Sequence, residues 1–330
     1  MKIIRVHEFG GPEKLVCEEA PPPTPRENEI LVRNAFIGVN FADVGMRNGS
    51  SSKTAITLYA RPLPLTPGNE ASGTVEALGP DVTGFVPGDK VAYRGVFEAY
   101  AEFVTVPVEK LLKVPTGVPM DVAGGCLTQG MTAHYVTHDA HPVRPGEWVL
   151  IHAAAGGTGS LVVQMAKLRG ATVVATASTP EKVARAYENG ADHVFNYSEA
   201  DFEELSRSIP GFDGFHAVLD CVGAATFEKG LRLLRPRGNM VIFGMSSGPI
   251  PPFDLQRLNP LGSLSIRRTN LNDYVPTRHD LEVRAATVFD WIREGKITVR
   301  IGGRFPLADA RLAHAELEER RSLGKLLLVP

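Results

Sequence analysis

The sequence predicts an α/β chain in which a doubly wound parallel sheet adjoins a β-rich domain. Two observations carry this. Up to about residue 120, apolar segments at 31–37, 73–78, 90–93, 101–106 and 111–114 are separated by Pro/Gly-rich stretches at 20–25, 61–68 and 86–88. That rhythm suits short strands of a barrel-like or partly open antiparallel domain. From about Asp121 onward, strand and helix patterns alternate, and repeated strand–helix units build a parallel sheet covered on both faces.

The elements follow in order. A strand at 148–152 leads into a helix at 158–168, 172–176 into 180–189, 193–196 into 199–208, and 217–221 into 226–234. The segment 239–243 closes the run, with 263–266 as a sixth strand. The tail carries a helix at 278–294, with Leu281, Ala285, Val288 and Ile292 on one stripe, a polar helix at 308–321 and a terminal strand at 326–329. We expect this tail to rejoin the first domain. The expected domains are therefore 1–122 with 267–330, β-rich and discontinuous, and 123–266, doubly wound.

Composition narrows the function. The 330 residues carry 35 Lys and Arg against 37 Asp and Glu, a formal net charge of −2. No nucleic-acid partner is expected from so balanced a chain. No apolar run approaches the length of a membrane span. Cys17, Cys126 and Cys221 are odd in number and lie far apart, so they form neither a disulfide framework nor a four-cysteine zinc site. With reduced thiols and no secretory leader, the expected location is cytoplasmic.

The strand at 148–152 runs into Ala153-Ala154-Ala155-Gly156-Gly157-Thr158-Gly159. A glycine-rich turn between a strand and a helix is the dinucleotide fingerprint of a Rossmann sheet. Gly156 or Gly157 lets backbone approach a pyrophosphate, Gly159 permits close helix–strand packing, and the helix N-terminus at Thr158 offers N–H groups to phosphate. The next strand ends at Ser178 and Thr179, and no acid occurs from Ala171 to Pro180. A carboxylate there would bind a ribose hydroxyl and repel a 2′-phosphate. Its absence, beside the cation of Lys182, favours NADP(H) over NAD.

Several segments together resemble the zinc-free quinone oxidoreductase (zeta-crystallin-like) branch of the medium-chain dehydrogenase/reductase superfamily. They are Phe9-Gly10-Gly11-Pro12, Val39-Asn40-Phe41-Ala42-Asp43, Pro67-Gly68-Asn69-Glu70-Ala71-Ser72-Gly73, Pro87-Gly88-Asp89-Lys90-Val91, Gln129-Gly130-Met131-Thr132-Ala133, the glycine turn, and Gly190-Ala191-Asp192-His193-Val194. The resemblance implies a GroES-like β-rich domain, a Rossmann domain, NADP(H) in the cleft between them, and a homodimer joined through the last Rossmann strand near 262–266. It implies that Lys182 and Tyr197 embrace the 2′-phosphate end with Ser178. It further implies that Cys221, Val222, Phe243 and Gly244 line the cofactor, and that Asn40, Thr128 and Lys325 reach it. Zinc-dependent relatives place Cys and His where this chain has Asn40 and Asn69, and amides are poor zinc ligands. No metal is expected.

The activity implied is hydride transfer from NADPH to quinones or related α,β-unsaturated carbonyls. Candidate catalytic residues are Asn40, as a hydrogen-bonding group for the acceptor, then Asp43 and Thr128. Relatives carry tyrosines just after the Asn-containing segment. This chain has none at 44–51, but Tyr59 lies in the loop at 52–67 and is a candidate substitute. Two alternatives stay open: an enoyl-thioester or enone reductase, and an NADPH-binding sensor or structural protein of low activity.

Overall fold

A computed structural model describes residues 1–50 and 60–330. The described strands of the first stretch are β1 (Lys2–Arg5), β2 (Val16–Glu19), β3 (Glu29–Gly38), β4 (Glu70–Leu78), β5 (Lys90–Arg94), β6 (Phe103–Pro107) and β7 (Leu111–Lys113). Helices α1 (Phe41–Asn48) and α2 (Met120–Tyr135) accompany them. The alternating stretch contains β8 (Trp148–Ile151), α3 (Gly157–Leu168), β9 (Thr172–Ala177), α4 (Pro180–Glu188), β10 (His193–Asn196) and α5 (Phe202–Arg207). It continues with β11 (Phe215–Asp220), α6 (Phe227–Leu233), β12 (Leu234–Ile242) and β13 (Ser265–Arg268). The tail holds α7 (Arg278–Arg293), β14 (Ile301–Pro306), α8 (Ala310–Glu318) and β15 (Lys325–Val329).

The chain divides into two compact units. One comprises Met1–Thr128, Thr277–Gly295 and Val299–Pro330. Its seven-stranded sheet runs β14-β15-β3-β4-β5-β7, with β6 also on β3. Only the β14–β15 pair is parallel; the other pairs are antiparallel. Alternate residues of these strands, among them Ile30, Val32, Val75, Val91, Val104 and Val106, meet Leu326 and Leu328 of β15 in one core.

The other unit comprises Gln129–Pro276 and Lys296–Thr298. Its six strands run β10-β9-β8-β11-β12-β13, all parallel. This is the Rossmann order, with the strand order reversing between β8 and β11. Ligands of such sheets bind beyond the carboxyl ends of the strands at that reversal.

Several boundaries differ from the sequence expectation, and those of β12, β13 and α5 have local reasons. β12 starts at Leu234 rather than 239, because Arg235-Pro236-Arg237-Gly238 reads as a loop yet forms an irregularity within a strand, with Arg237 at φ 63°. β13 starts at Ser265 rather than 263, because Ser263 is left-handed at φ 54°. It therefore ends at Arg268, beyond the expected break at 266. α5 starts at Phe202, because the Asp201 carboxylate caps it, accepting from Glu203 N at 2.9 Å. Among the described residues, no helix is long and apolar enough to cross a membrane.

Candidate active site

The N-terminus of α1 places Asn40 and Asp43. Asn40 is the N-cap residue, with φ −129° and ψ 156°. Its backbone N–H donates to Asp43 Oδ2 at 2.8 Å. An N-cap amide ordinarily serves its own helix, but here it turns to two distant segments. Asn40 Nδ2 donates to Glu70 Oε1 at 2.9 Å and to the Gly38 carbonyl at 3.4 Å. Asn40 Oδ1 accepts from Lys325 Nζ at 2.8 Å.

Glu70 is the centre of this cluster. Its Oε1 also accepts from Lys325 Nζ at 2.5 Å, and its Oε2 accepts from the Thr128 N–H at 2.8 Å. Both ends of the Glu70–Lys325 ion pair are only 1% exposed. Burial pushes the Glu70 carboxyl up, but the Lys325 ammonium and the donated hydrogen bonds outweigh it, so the net shift is downward. Gly38 makes room: a Cβ there would lie 2.8 Å from both Glu70 Cγ and the Gly124 carbonyl.

This arrangement relocates three of the expected residues. Lys325 was expected to reach the cofactor, but its ammonium is turned into the buried pair. Asn40 was expected to hydrogen-bond the acceptor, but its amide N–H groups already have partners. Asp43, on α1 itself, is fully buried, and burial raises its carboxyl to about 7 despite the Asn40 and Tyr100 hydrogen bonds. The Thr128 hydroxyl oxygen is buried and without a hydrogen-bond partner among the described residues. Tyr59 lies outside the described residues.

The cluster does not suit zinc. Asn40 and Asn69 stand at the ligand positions, and Lys325 puts a positive charge against Glu70. Among the described residues no group of three or more His, Cys, Asp or Glu side chains could hold a metal ion.

The Rossmann unit carries the second set of residues. Ala153 is left-handed at φ 53°, which lets Gly156 N–H donate to its carbonyl at 2.9 Å. Gly156 is the N-cap of α3. The first bond of the helix ladder runs from Ser160 N–H to the Gly156 carbonyl at 2.9 Å. The N–H groups of Gly157, Thr158 and Gly159 precede that bond and so have no acceptor within the helix ladder, the condition an anion site needs. A Cβ at Gly159 would sit 2.8 Å from the Ala153 carbonyl carbon, and one at Gly157 would run into the Gln129 amide. Gly159→Ala is therefore expected to destabilise the protein by roughly 1–3 kcal/mol, measured as a lower urea midpoint at unchanged m-value. An unchanged midpoint would mean that the turn is less tight than described.

Ser178 and Tyr197 follow the carboxyl ends of neighbouring strands. Tyr197 N–H donates to Ala177 at 3.0 Å, and Ser198 Oγ donates to the Ser178 carbonyl at 2.9 Å. The Thr179 hydroxyl caps α4, accepting from Lys182 N at 3.3 Å. The cap leaves Ser178 as the hydroxyl not used by α4, and Lys182 lies in the first helical turn. Tyr197 is 41% exposed.

Cys221, Val222, Phe243 and Gly244 also come together. Ser247 N–H donates to the Val222 carbonyl at 2.8 Å, and a Cβ at Gly244 would lie 2.6 Å from the Cys221 carbonyl oxygen. Burial first, then the neighbouring Asp220, raises the Cys221 thiol to about 12, so it is no nucleophile. Sequence reading passed over Asp220, which organises this loop. Its carboxylate accepts from Val222 N (2.6 Å), Gly223 N (3.1 Å) and Thr226 Oγ1 (2.7 Å). The available signal was an Asp ending a strand, followed by Gly and Thr. Glu70 stands in the sequence reading only as one residue of the segment from Pro67 to Gly73.

Comparison with known proteins matches residues 26–147 to the alcohol dehydrogenase GroES-like domain and residues 157–287 to the zinc-binding dehydrogenase domain. A 2-haloacrylate reductase of Burkholderia sp. is 38% identical, covering 98% of both chains. A quinone oxidoreductase of Pseudomonas aeruginosa is 38% identical, covering 100% of this chain and 99% of its own. The crystal structure of Escherichia coli quinone oxidoreductase complexed with NADPH is 37% identical, covers 100% of both chains and superposes with a TM-score of 0.94.

Proposed function

The chain belongs to the zinc-free quinone oxidoreductase branch of the medium-chain dehydrogenase/reductase superfamily, and on that footing we propose that it reduces quinones and related α,β-unsaturated carbonyls with NADPH. The observation that carries the reading is a glycine turn opening α3, followed after β9 by Ser178 and Lys182 and after β10 by Tyr197, with no acid from Ala171 to Pro180, in a chain whose full-length relatives include such reductases. When bound, NADPH supplies the hydride, and the chain supplies orientation and electrostatics.

In this reading the N–H groups of Gly157, Thr158 and Gly159 hold the pyrophosphate, with Gly156 leaving space for it. Ser178, Lys182 and Tyr197 hold the 2′-phosphate. Val222, Phe243 and Gly244 form the wall that Asp220 fixes. Asn40 keeps a lone pair on Oδ1 and so accepts, while the Thr128 hydroxyl is the unassigned donor. The Glu70 carboxylate ties the two together. We assign to Thr128 the hydrogen bond that steadies the acceptor oxygen as it gains charge, with solvent supplying the final proton.

Lys182→Ala is expected to weaken NADPH binding by roughly ten- to a hundredfold while leaving NADH nearly unchanged, measured by nicotinamide fluorescence. Equal affinity of the unsubstituted protein for both cofactors would overturn the NADP assignment. Steady-state assays with 1,4-benzoquinone, 9,10-phenanthrenequinone, a simple enone, a 2-haloacrylate and crotonyl-CoA separate the acceptor classes. No turnover with any of them would favour an NADPH-binding sensor instead. The acceptor is a small molecule. We also propose a homodimer joined edge to edge at β13, checked by light scattering, and a cytoplasmic location on the grounds of three free cysteines and a nicotinamide cofactor.

A further inference from the structure

We propose that Tyr100 and His314 are positioning residues for the active site, acting through Asp43 on Asn40. This rests on the assignment of Asn40 above. Two helices each present a polar pair at i, i+4: Asp43 and Arg47 on α1, His314 and Glu318 on α8. Tyr100, from the segment between β5 and β6, stands between them. The described contacts form an unbroken line. Arg47 NH1 lies 3.4 Å from His314 Nδ1, His314 Nε2 lies 2.9 Å from Tyr100 Oη, and Tyr100 Oη lies 3.2 Å from Asp43 Oδ2. Asp43 Oδ2 also receives the Asn40 backbone N–H.

Donor and acceptor chemistry fixes the direction of every bond. A guanidinium only donates, so His314 Nδ1 must carry the lone pair. The ring is then neutral, with its proton on Nε2, and it donates to Tyr100. Tyr100 has one proton, and its remaining acceptor is Asp43. The line thus runs one way, from Arg47 to the carboxylate that holds Asn40 N–H. Arg47 is itself clamped by both oxygens of Glu318, at 2.7 and 2.8 Å, and by donation to the Gly10 carbonyl at 3.1 Å. Burial drives the His314 imidazole down to about 3, with Arg47 adding to the effect, so the ring stays neutral.

Asp43, Arg47, Tyr100 and His314 are all buried. Apolar side chains of similar volume would fill that space with less desolvation. A continuous polar line instead specifies one geometry, and of its side-chain atoms only Asp43 Oδ1 lacks a partner among the described residues. What it specifies is the angle at which Asn40 leaves β3 and presents its amide to Glu70 and Lys325. The C-terminal helix α8 thereby influences acceptor handling without touching the acceptor.

The test compares Tyr100→Phe, His314→Leu, His314→Gln, the Tyr100→Phe/His314→Leu double variant and Asn40→Ala in the full chain. The readouts are kcat and KM for a quinone at saturating NADPH, NADPH affinity by fluorescence, and the thermal midpoint. Tyr100→Phe and His314→Leu should each lower kcat roughly tenfold with NADPH affinity unchanged. His314→Gln keeps an N–H donor where Nε2 stood and should recover most of the activity. The double variant should be no worse than the worse single variant, because both interrupt one line. The proposal falls if folded Tyr100→Phe retains wild-type kcat, if His314→Gln is as impaired as His314→Leu, or if the two losses multiply. Asn40→Ala separates the two claims. Wild-type activity there removes Asn40 from the site and this inference with it. An impaired Asn40→Ala beside unimpaired Tyr100 and His314 variants removes only this inference.

Discussion

Lys325→Met is expected to lower the unfolding free energy by about 3–5 kcal/mol at neutral pH. The substitution roughly preserves volume, so the loss is chiefly electrostatic. Glu70 would keep donors from Asn40 and Thr128 but lose the charge that justifies a carboxylate in a buried site. The sign with pH should reverse. In the unsubstituted chain Glu70 is shifted below its ordinary value of 4.5, so its contribution is present above pH 4.5 and lost as pH falls through the folded value. Without Lys325 burial dominates and the carboxyl rises. Stability should then fall as pH increases from 5 to 8. Adding Glu70→Gln should restore much of the loss, since an amide in that place needs no counter-charge. Urea midpoints of the unsubstituted chain, Lys325→Met, Glu70→Gln and the double variant at pH 5 and pH 8 check all three points. Additive losses in the double variant would show that the pair is not a unit.

The second large effect concerns acid stability. His314 is depressed from 6.5 to about 3, so its contribution is present above pH 6.5 and lost as pH falls toward the folded value. Asp43 is raised from 3.8 to about 7. Its contribution is present below pH 3.8 and lost as pH rises through 7. Between these limits the two slopes oppose each other, and Tyr100 joins the two groups. His314→Gln removes one slope and keeps the donor. The stability of the variant relative to the unsubstituted protein should therefore rise by roughly 2–3 kcal/mol between pH 6.5 and 4.5. Asp43→Asn should leave the His314 slope alone and steepen acid unfolding. A pH-independent difference between His314→Gln and the unsubstituted protein would mean that the buried ring is not held neutral.

Much of this molecule was readable from residue order, because the signals involved are local. The parallel sheet followed from repeated strand–helix units, and the glycine turn followed from its place between β8 and α3. The acid-free stretch ending at Pro180 spoke for NADP(H) through charge alone. Asn40 and Asn69 argued against a zinc site by side-chain chemistry, with no distance needed.

Tertiary structure decided the partnerships. Glu70 and Lys325 are 255 residues apart and Arg47 and His314 are 267 apart, and nothing in local periodicity joins such positions. Register joins the first pair. β15 lies antiparallel to β3, and that alignment turns the Lys325 ammonium inward toward Asn40. Packing of α8 brings the second pair together. The chemistry available to Asn40 narrowed as a result, from a hydrogen-bonding group of either kind to an amide whose donors are engaged and whose Oδ1 keeps one acceptor position. Which residue types are present was a property of the sequence. Which of their hydrogen bonds remain free for a ligand was decided by burial, because a polar group removed from water must first be satisfied within the fold.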